Sequence, residues 1–305
     1  MNKVLHLQTT KIFNMKSKLM SLALSVLFLS SCNSNEDIST ENPEKSPQQH
    51  YSLGAKLVDE QTFNSYEKAD IDALTLKFKG KSSEAAKNTL PSSYFIPSST
   101  VGNQGSEGSC VAWATAYAAA SSLELNFKGV TQSRSPEYVY NQIKVGTCAQ
   151  GAYVTAGLNL IKNQGVCSWN EMPYTDAGCS TQPNATQKSA ASTHKFTSWG
   201  TVNKTDITGV KNLLSMNLPI IIAVSVDDSF YNMGSTGWVW RAHSGQNYGG
   251  HAICVIGYDD SKQAFKVQNS WGSSWGSSGH FWIDYSFFAK TSNGAINECY
   301  VAYVQ

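Results

Sequence analysis

Residues 101–114 read VGNQGSEGSCVAWA, a loop rich in glycine and serine that runs directly into an alanine-rich stretch. Neither glycine nor proline occurs between Val111 and Leu125, so this stretch is predicted to be a helix. Cys110 therefore stands at the N-terminus of the predicted helix, where the helix dipole and free backbone N–H groups favour a thiolate. Because the thiolate is the nucleophilic form, Cys110 is a candidate nucleophile. A small, buried packing residue is the alternative for a single cysteine of this kind.

Two later stretches supply a candidate base and a candidate orienting group. Residues 248–260 read YGGHAICVIGYDD and place His251 at the start of an apolar strand, while residues 265–276 read FKVQNSWGSSWG. The turn at residues 259–263 predicts a hairpin, which would bring Asn269 beside His251. A nucleophile, a base and an orienting group in three separate parts of the chain are what cysteine-dependent acyl transfer requires.

These motifs carry a resemblance to a known family. The catalytic order Cys, His, Asn resembles that of the papain-family cysteine peptidases, and the blocks that match are Gln104, Ser109-Cys110, Gly250-His251-Ala252 and Asn269-Ser270-Trp271-Gly272. The resemblance covers residues 90–305. It implies an α+β, papain-like fold of two subdomains, with a helical left half, an antiparallel β-barrel-like right half and the active-site cleft between them. It also implies a cysteine peptidase that hydrolyses peptide bonds in peptides or proteins.

The resemblance implies a role for each matching residue. Cys110 would attack the scissile carbonyl carbon and form a thioester, with His251 as its ion-pair partner and then as general acid. Asn269 would orient the imidazole of His251. Gln104 would donate its side-chain amide to the oxyanion, and Trp271 would cover the hydrogen bond between His251 and Asn269.

The sequence departs from the family pattern in the loop and in the cleft. Glu107 takes the place of a second loop cysteine, and Val111 replaces the aromatic residue that usually follows the nucleophile. Glu107 is expected to be solvated; the alternative is that it biases specificity or repels acidic substrates. Cys148 stands where the partner of the missing cysteine would be, so that disulfide cannot form in its usual pairing. Gly151 remains from the stretch that binds substrate backbone, and with Gly250 it is a candidate substrate-binding position.

The seven cysteines have different expected roles. Cys32 is a candidate lipidation site, Cys110 must stay a thiol, and Cys254, inside an apolar strand, is expected to be a reduced core residue. Four cysteines are left for disulfides: Cys148, Cys167, Cys179 and Cys299. A local bridge between Cys167 and Cys179 is one pairing, Cys148 is an equally acceptable partner for either, and the sequence does not choose between them.

The pattern of apolar residues predicts helices first and strands later. Helices are expected at residues 111–127, 136–144 and 153–164, with Gly165 ending the third, and at residues 206–217. Strands are expected at residues 219–226, 251–257, 264–269 and 280–285. Cys110 then lies on a helical subdomain and His251 on a strand subdomain, so the site is predicted at their interface.

The N-terminal residues have the features of a targeting signal. From Met15, two lysines precede an apolar run that is too short to span a bilayer and ends in Leu29-Ser30-Ser31-Cys32, which resembles a bacterial lipobox. Residues 1–31 are thus predicted to be a lipoprotein signal peptide and residues 32–50 a polar tether. An extracytoplasmic protein, anchored by lipid to a bacterial outer membrane or cell surface, is expected. Residues 51–89 are an N-terminal extension or short pro-segment, with short helices expected at 55–58 and 71–74.

Composition and charge narrow the function classes. The 23 basic and 22 acidic residues leave a net charge of +1, which argues against a nucleic-acid surface. No cofactor and no metal are expected, because His243, His251 and His280 have no further ligands at metal-site spacing. The leading hypothesis is a monomeric cysteine peptidase. A catalytically silent binding module and a thiol transpeptidase, amidase or isopeptidase remain as alternatives.

Overall fold

The computed structural model describes residues 51–304. The predicted signal peptide, Cys32 and the predicted tether lie outside the described residues. Within residues 51–304, no helix has both the length and the apolar composition needed to cross a membrane.

Eleven α-helices are found in the described part of the chain. They are α1 (Glu60–Ser65), α2 (Ile71–Lys79), α3 (Ser83–Lys87), α4 (Cys110–Ala112), α5 (Ser121–Lys128), α6 (Pro136–Ile143), α7 (Val154–Gln164), α8 (Ala185–Ala191), α9 (Ile207–Leu214), α10 (Asp228–Tyr231) and α11 (Tyr285–Phe288). A π-helical stretch (Trp113–Ala120) joins α4 to α5, and the three parts form one continuous helix, called the central helix below. A short 3-10 helix covers Met233–Thr236.

The helices predicted at residues 111–127, 136–144, 153–164 and 206–217 are confirmed, and their ends follow from local chemistry. Pro136 occupies the first turn of α6, where its missing N–H costs nothing, and the Ser135 side chain caps that helix by accepting from the backbone N–H of Tyr138. Helix α7 ends at Gly165, as its sequence predicts. The central helix is buried along most of its length because alanine lets neighbouring elements approach closely.

Within the described residues, eight strands form one sheet. They are β1 (Ser93–Phe95), β2 (Ser198–Thr201), β3 (Ile220–Asp227), β4 (Val239–Trp240), β5 (Asn247–Asp259), β6 (Ala264–Gln268), β7 (His280–Asp284) and β8 (Ile296–Tyr303). The strand order is β2-β8-β3-β5-β6-β7-β4, with β1 paired to β5. The pairs are antiparallel except β4 with β7. The sheet is open and is not closed into a barrel, and with the helices it confirms the predicted α+β class.

The predicted hairpin is present as β5 and β6, which pair from Cys254 opposite Gln268 to Asp259 opposite Ala264. Asn269 follows β6 directly, so the hairpin carries it to the side of the sheet where His251 lies on β5. The central helix contacts β5, and Cys110 on that helix therefore meets His251 where the helical part meets the sheet.

Residues 51–89 consist of an extended segment followed by α1, α2 and α3. The helix expected at residues 71–74 lies within α2. The helix expected at residues 55–58 is wrong, because Ala55 forms a parallel β-bridge with Ala152 instead. The backbone groups of this segment bond to the domain and are therefore not available for a helix.

The cysteines divide into one disulfide and four thiols within the described residues. Cys148 is bonded to Cys179, one of the pairings that the sequence left open. Cys110 is a free thiol and Cys254 a free, buried core residue, as predicted; Cys110 is buried as well. Cys167 and Cys299 are also free and buried.

Candidate active site

Cys110 is the first residue of the central helix and is completely buried. Its Sγ accepts a hydrogen bond from the backbone N–H of Ala252, at 3.3 Å. Ala252 follows His251 on β5, so this contact places the thiol beside the candidate base, at the junction of helix and sheet.

His251 and Asn269 form the predicted pair. The Nε2 atom of His251 lies 2.8 Å from Oδ1 of Asn269. The other ring nitrogen, Nδ1, is buried and has no hydrogen-bond partner among the described residues. Trp271 stacks on the imidazole with ring centroids 4.7 Å apart, which shields the pair from water. Because Asn269 occupies Nε2, Nδ1 is the ring nitrogen left to exchange a proton with a thiol.

Gln104 is held by both sides of the cleft. Its backbone N–H donates to the carbonyl of Ser270, and its Oε1 accepts from the Ser270 hydroxyl at 2.7 Å. These bonds orient the side-chain amide so that Nε2 donates to the carbonyl oxygens of Glu107 at 3.0 Å and of Leu53 at 3.2 Å. The Leu53 carbonyl oxygen thus accepts the hydrogen bond that the family resemblance assigns to an oxyanion.

Residues 51–58, called the cleft segment below, run between Gly250 on one wall and Ala152 on the other. The backbone N–H groups of Gly54 and Ala55 both donate to the carbonyl of Gly250, at 3.1 and 3.0 Å. The N–H of Lys56 donates to the carbonyl of Ala152, and the N–H of Ala152 donates to the carbonyl of Gly54, both at 2.9 Å. The cleft therefore binds an extended backbone through both of its walls.

The cleft segment approaches the nucleophile loop very closely. Gly54 has a φ of +137°, and a Cβ added to it would lie 2.0 Å from the carbonyl oxygen of Gly108. Glycine is needed here for both reasons. Further along, Tyr51 stacks on Trp271 with centroids 4.7 Å apart, and the Trp271 indole N–H donates to the carbonyl of Ser52 at 3.0 Å.

The two candidate substrate-binding glycines both touch the cleft segment, but in different ways. Gly250 supplies its carbonyl as an acceptor. Gly151 makes room: a Cβ there would lie 1.8 Å from the carbonyl oxygen of Gly54. The hydrogen bonds on that wall come from Ala152, which the sequence did not single out because a backbone contact has no signature in residue type.

Burial controls the protonation of the candidate pair. It raises the pKa of Cys110 to about 12, although the backbone N–H groups of Ala252, Val111 and Ala55 oppose the rise. It lowers the pKa of His251 to about 4, against the effect of the Asn269 hydrogen bond. The thiolate expected at the helix N-terminus is therefore not the favoured form here. In the covered cleft, burial favours the neutral forms of both the thiol and the imidazole.

Glu107 is not solvated, contrary to expectation. Only 3% of its surface is exposed. Its carboxylate and the sulfur atoms of Cys148 and Cys179 lie within 4.8 Å of one another. The two sulfurs are bonded to each other and are not free thiolate ligands, so this group of residues does not have the chemistry of a metal site.

Similarity to known proteins agrees with this geometry. The sequence model described as "Papain family cysteine protease" matches residues 95–302. The chain belongs to this family. Within the papain family, it is 29% identical over 201 residues to an uncharacterized peptidase C1-like protein of Acanthamoeba polyphaga mimivirus, covering 61% of this chain and 65% of that protein. It is 27% identical over 199 residues to cathepsin K of Mus musculus, covering 64% of this chain and 57% of that protein.

The fold of the papain family is also seen in solved structures similar to this one. The crystal structure of xylellain, a cysteine protease from Xylella fastidiosa, superimposes with a TM-score of 0.66 at 24% identity, covering 85% of this chain and 97% of that chain. At this identity the likeness shows the fold. The chain spans between 57 and 65% of the length of the two curated relatives above.

Proposed function

We propose that this chain is a cysteine peptidase whose cleft is kept closed by its own residues 51–58. The observation that carries the proposal is the backbone of the cleft segment, which lies over the buried Cys110 with the Leu53 carbonyl oxygen on the Gln104 amide. A cleft that holds an extended polypeptide in this way has the walls a peptide substrate needs.

The proposed mechanism begins when the cleft segment leaves and water reaches the pair. The Cys110 thiol then gives its proton to Nδ1 of His251, and the sulfur attacks the carbonyl carbon of the substrate. The carbonyl oxygen gains the negative charge and accepts a hydrogen bond from Nε2 of Gln104. As the tetrahedral intermediate collapses, the C–N bond breaks and His251 protonates the departing amine. Water then hydrolyses the thioester, with His251 accepting the proton of the water.

Asn269 and Trp271 have supporting roles in this proposal. Asn269 holds Nε2 of His251 at 2.8 Å, which keeps Nδ1 available to the thiol throughout the cycle. Trp271 covers one face of the imidazole. The indole ring thus excludes water from the hydrogen bond that orients the base.

Two alternatives from the sequence remain distinguishable by experiment. A transpeptidase, amidase or isopeptidase would use the same thioester but pass the acyl group to an amine, or would cut another type of amide bond. A catalytically silent homologue would bind a peptide without cutting it. The presence of the nucleophile, base, orienting residue and oxyanion donor in one place favours an active enzyme.

Gly54→Val offers a direct test in the full chain, because its side chain cannot fit against the Gly108 carbonyl. The wild-type chain, Gly54→Val and Gly54→Val with Cys110→Ala would each be incubated with a mixed peptide library under reducing conditions, and mass spectrometry would read the products. Gly129→Val is the matched control, since Gly129 also has a positive φ but a Cβ there meets nothing within 4 Å. We expect cleavage to rise at least about tenfold in Gly54→Val, for which a 1.4 kcal/mol loss of segment binding suffices.

Each outcome of this test has a distinct meaning. Hydrolysed products that require Cys110 support the peptidase. Products joined to an added amine would favour the transpeptidase. Labelling of Cys110 by an irreversible thiol-directed epoxide without any cut peptide would indicate an activated thiol that acts on another substrate. A folded Gly54→Val variant that shows neither labelling nor cleavage would favour the binding module. Equal activity of the wild type and Gly54→Val would contradict closure by the cleft segment.

We also propose that the protein is anchored outside the cytoplasm by a lipid on Cys32 and acts as a monomer on peptide or protein substrates. The support is the lipobox-like Leu29-Ser30-Ser31-Cys32 after a short apolar run. Cys32→Ser should move the protein from the membrane fraction to the soluble fraction and abolish incorporation of a labelled fatty acid. An unchanged distribution would contradict the lipid anchor.

A further inference from the structure

Glu107 is a buried residue of the same loop as Gln104. Its Oε1 is buried and has no hydrogen-bond partner among residues 51–304. Its Oε2 lies 3.4 Å from the hydroxyl of Tyr174. A buried carboxyl group with so few donors around it is more stable when protonated, because an ionised carboxylate needs several donors to replace water.

The hydroxyl of Tyr174 connects Glu107 to the oxyanion loop. It donates to the backbone carbonyl of Gln104 at 2.7 Å, and it lies 2.7 Å from Oγ of Ser109, the residue before Cys110. A phenol has a single proton to donate. The Gln104 carbonyl and the Glu107 carboxylate are therefore competing acceptors for the same proton.

The loop is also tied to Glu107 from the other direction. Nε2 of Gln104, the proposed oxyanion donor, bonds to the backbone carbonyl of Glu107 at 3.0 Å. Gln104 thus contacts Glu107 through its side chain and contacts Tyr174 through its backbone. No disulfide holds this loop, because Glu107 takes the place of the family's second loop cysteine and Cys148 is bonded to Cys179 instead.

We propose that Glu107 is a positioning residue for the oxyanion donor of the proposed peptidase, acting through Tyr174. When Glu107 is protonated, its O–H donates to the Tyr174 oxygen, and the Tyr174 hydroxyl keeps its hydrogen bond to the Gln104 carbonyl. When Glu107 is ionised, the carboxylate instead accepts the hydrogen bond from the Tyr174 hydroxyl. The Gln104 carbonyl then loses the hydrogen bond from Tyr174, and the side-chain amide of Gln104 is less well placed for the oxyanion. This inference rests on the proposed function.

The surroundings of Glu107 place this change near neutral pH. Burial raises the pKa of Glu107 to about 7, and the nearby carboxylates of Glu137 on α6 and Asp176 raise it further, while the Tyr174 hydrogen bond and Lys144 after α6 lower it. Tyr140 of α6 also faces the carboxyl group. Since the group is protonated below its pKa, the ordered loop is the acidic and neutral form, and the loosened loop is the alkaline form.

The test measures kcat and KM against pH on both sides of about 7 in the full chain carrying Gly54→Val, with and without Glu107→Gln. Gln is neutral at every pH and keeps a donor for Tyr174. We expect kcat of the Gly54→Val chain to fall roughly tenfold as pH rises through this range, less than the 10²–10³ that full removal of an oxyanion donor costs. KM should change little, and Glu107→Gln should keep its kcat at the higher pH.

Two further variants separate positioning from a general structural effect. Glu137→Gln removes a like charge, so the fall in kcat should move to lower pH. Tyr174→Phe removes the shared proton, so kcat should be low on both sides of the range and show no fall there. If Glu107→Gln does not fold, the shift in Glu137→Gln decides the matter.

The inference is overturned if Glu107→Gln is folded and shows the same fall in kcat as its parent, or if Glu137→Gln leaves the midpoint unchanged. Cys110-dependent cleavage at the lower pH would in either case leave the proposed function standing. Absence of Cys110-dependent cleavage at every pH would instead overturn the proposed function, and this inference with it.

Discussion

The extension (residues 51–89) and the papain-family domain (residues 90–304) are held in the structure by different kinds of interaction. In the extension, α1 buries none of its residues and α2 buries Leu74 and Thr75. In the domain, almost the whole of β3 is buried, and the helix that precedes it, α9, buries Leu213 and Leu214 completely. The extension is therefore attached by backbone hydrogen bonds, a few polar side chains and apolar side chains that are mostly only partly buried at the edge of the core, whereas the domain has an extensive, fully buried apolar core.

From this difference we expect that the extension can leave while the domain stays folded. A typical hydrogen bond contributes only about 0.5–1.5 kcal/mol net, because water replaces it when it breaks. Segments with few buried apolar contacts open at a lower free energy than the core around them. A closed cleft and a stable fold are thus separable properties of this chain.

The largest effect on stability should come from the domain core. Leu213→Ala should lower the free energy of unfolding by about 2–5 kcal/mol, because it leaves a cavity at a fully buried site. Urea unfolding would measure it. Leu74→Ala in the extension should change that free energy much less but should increase labelling of Cys110 by a thiol reagent. The comparison between the two regions fails if Leu74→Ala destabilises the domain as much as Leu213→Ala does.

Gln104 serves both regions, since one amide contacts Leu53 and would contact the oxyanion. In the chain opened by Gly54→Val, Gln104→Ala should lower kcat by about 10²–10³, or about 2.7–4 kcal/mol. In the chain without Gly54→Val, the same change should expose Cys110 more often, because the cleft segment loses a donor. Gln132→Ala, at an exposed position, is the control and should alter neither property. A Gln104→Ala variant with normal kcat would show that Gln104 is not an oxyanion donor.

Acid should open the cleft through His251. The pKa of His251 in the closed form, about 4, lies below its ordinary value of 6.5. Between these values the solvated imidazole of an open form binds a proton that the closed form does not. The contribution of neutral His251 to the stability of the closed form is therefore fully present above about pH 6.5. It decreases as the pH falls towards 4 and does not change further below that pH. The full loss is about 3 kcal/mol at 1.36 kcal/mol per unit.

NMR of the Ala55 methyl group would follow this opening, with Gly54→Val as the reference for the open form. We expect the wild-type signal to move towards that reference within this pH window. A signal that stays at its neutral-pH position throughout the window would show that protonation of His251 is not coupled to the cleft segment.

The sequence predicted the elements of the candidate active site better than the segment that covers it. The hairpin that joins His251 to Asn269 and the helix behind Cys110 depend on local patterns, and the structure has both. The extended conformation of Ala55 depends on Gly250 and Ala152, far away in the chain, so its local sequence favoured a helix. Strands β1, β2, β4 and β8 were not predicted; β8 is buried at consecutive positions from Glu298 to Ala302, so its residues do not show the alternation that marks a strand.

Glu107 and the disulfide show the same limit. A glutamate in a glycine-rich loop is normally solvated, and only the fold brings Tyr174 and Glu137 around it. The pairing of Cys148 with Cys179 likewise depends on which loops meet, which no spacing specifies. The residues that carry the chemistry are thus recognisable by type and order, whereas the contacts that regulate them depend on tertiary structure.

The smallest expected effect tests a single polar attachment of the extension. Nζ of Lys79 on α2 donates to Asn212 at 2.9 Å and to Ser215 at 2.6 Å, both in the domain. Lys79→Met should weaken this attachment by about 1–2 kcal/mol and raise the open fraction about 5–30-fold, because the side-chain Oδ1 of the buried Asn212 loses its donor. The rate of Cys110 labelling would measure the open fraction.

Lys81→Met is the matched control for this change. Lys81 donates to Thr89, and both residues belong to the extension. Its loss should leave Cys110 labelling unchanged, because no contact with the domain is removed. Equal labelling of the two variants would mean that the polar contacts of α2 with the domain do not hold the cleft closed, and that the cleft segment is held by its own contacts.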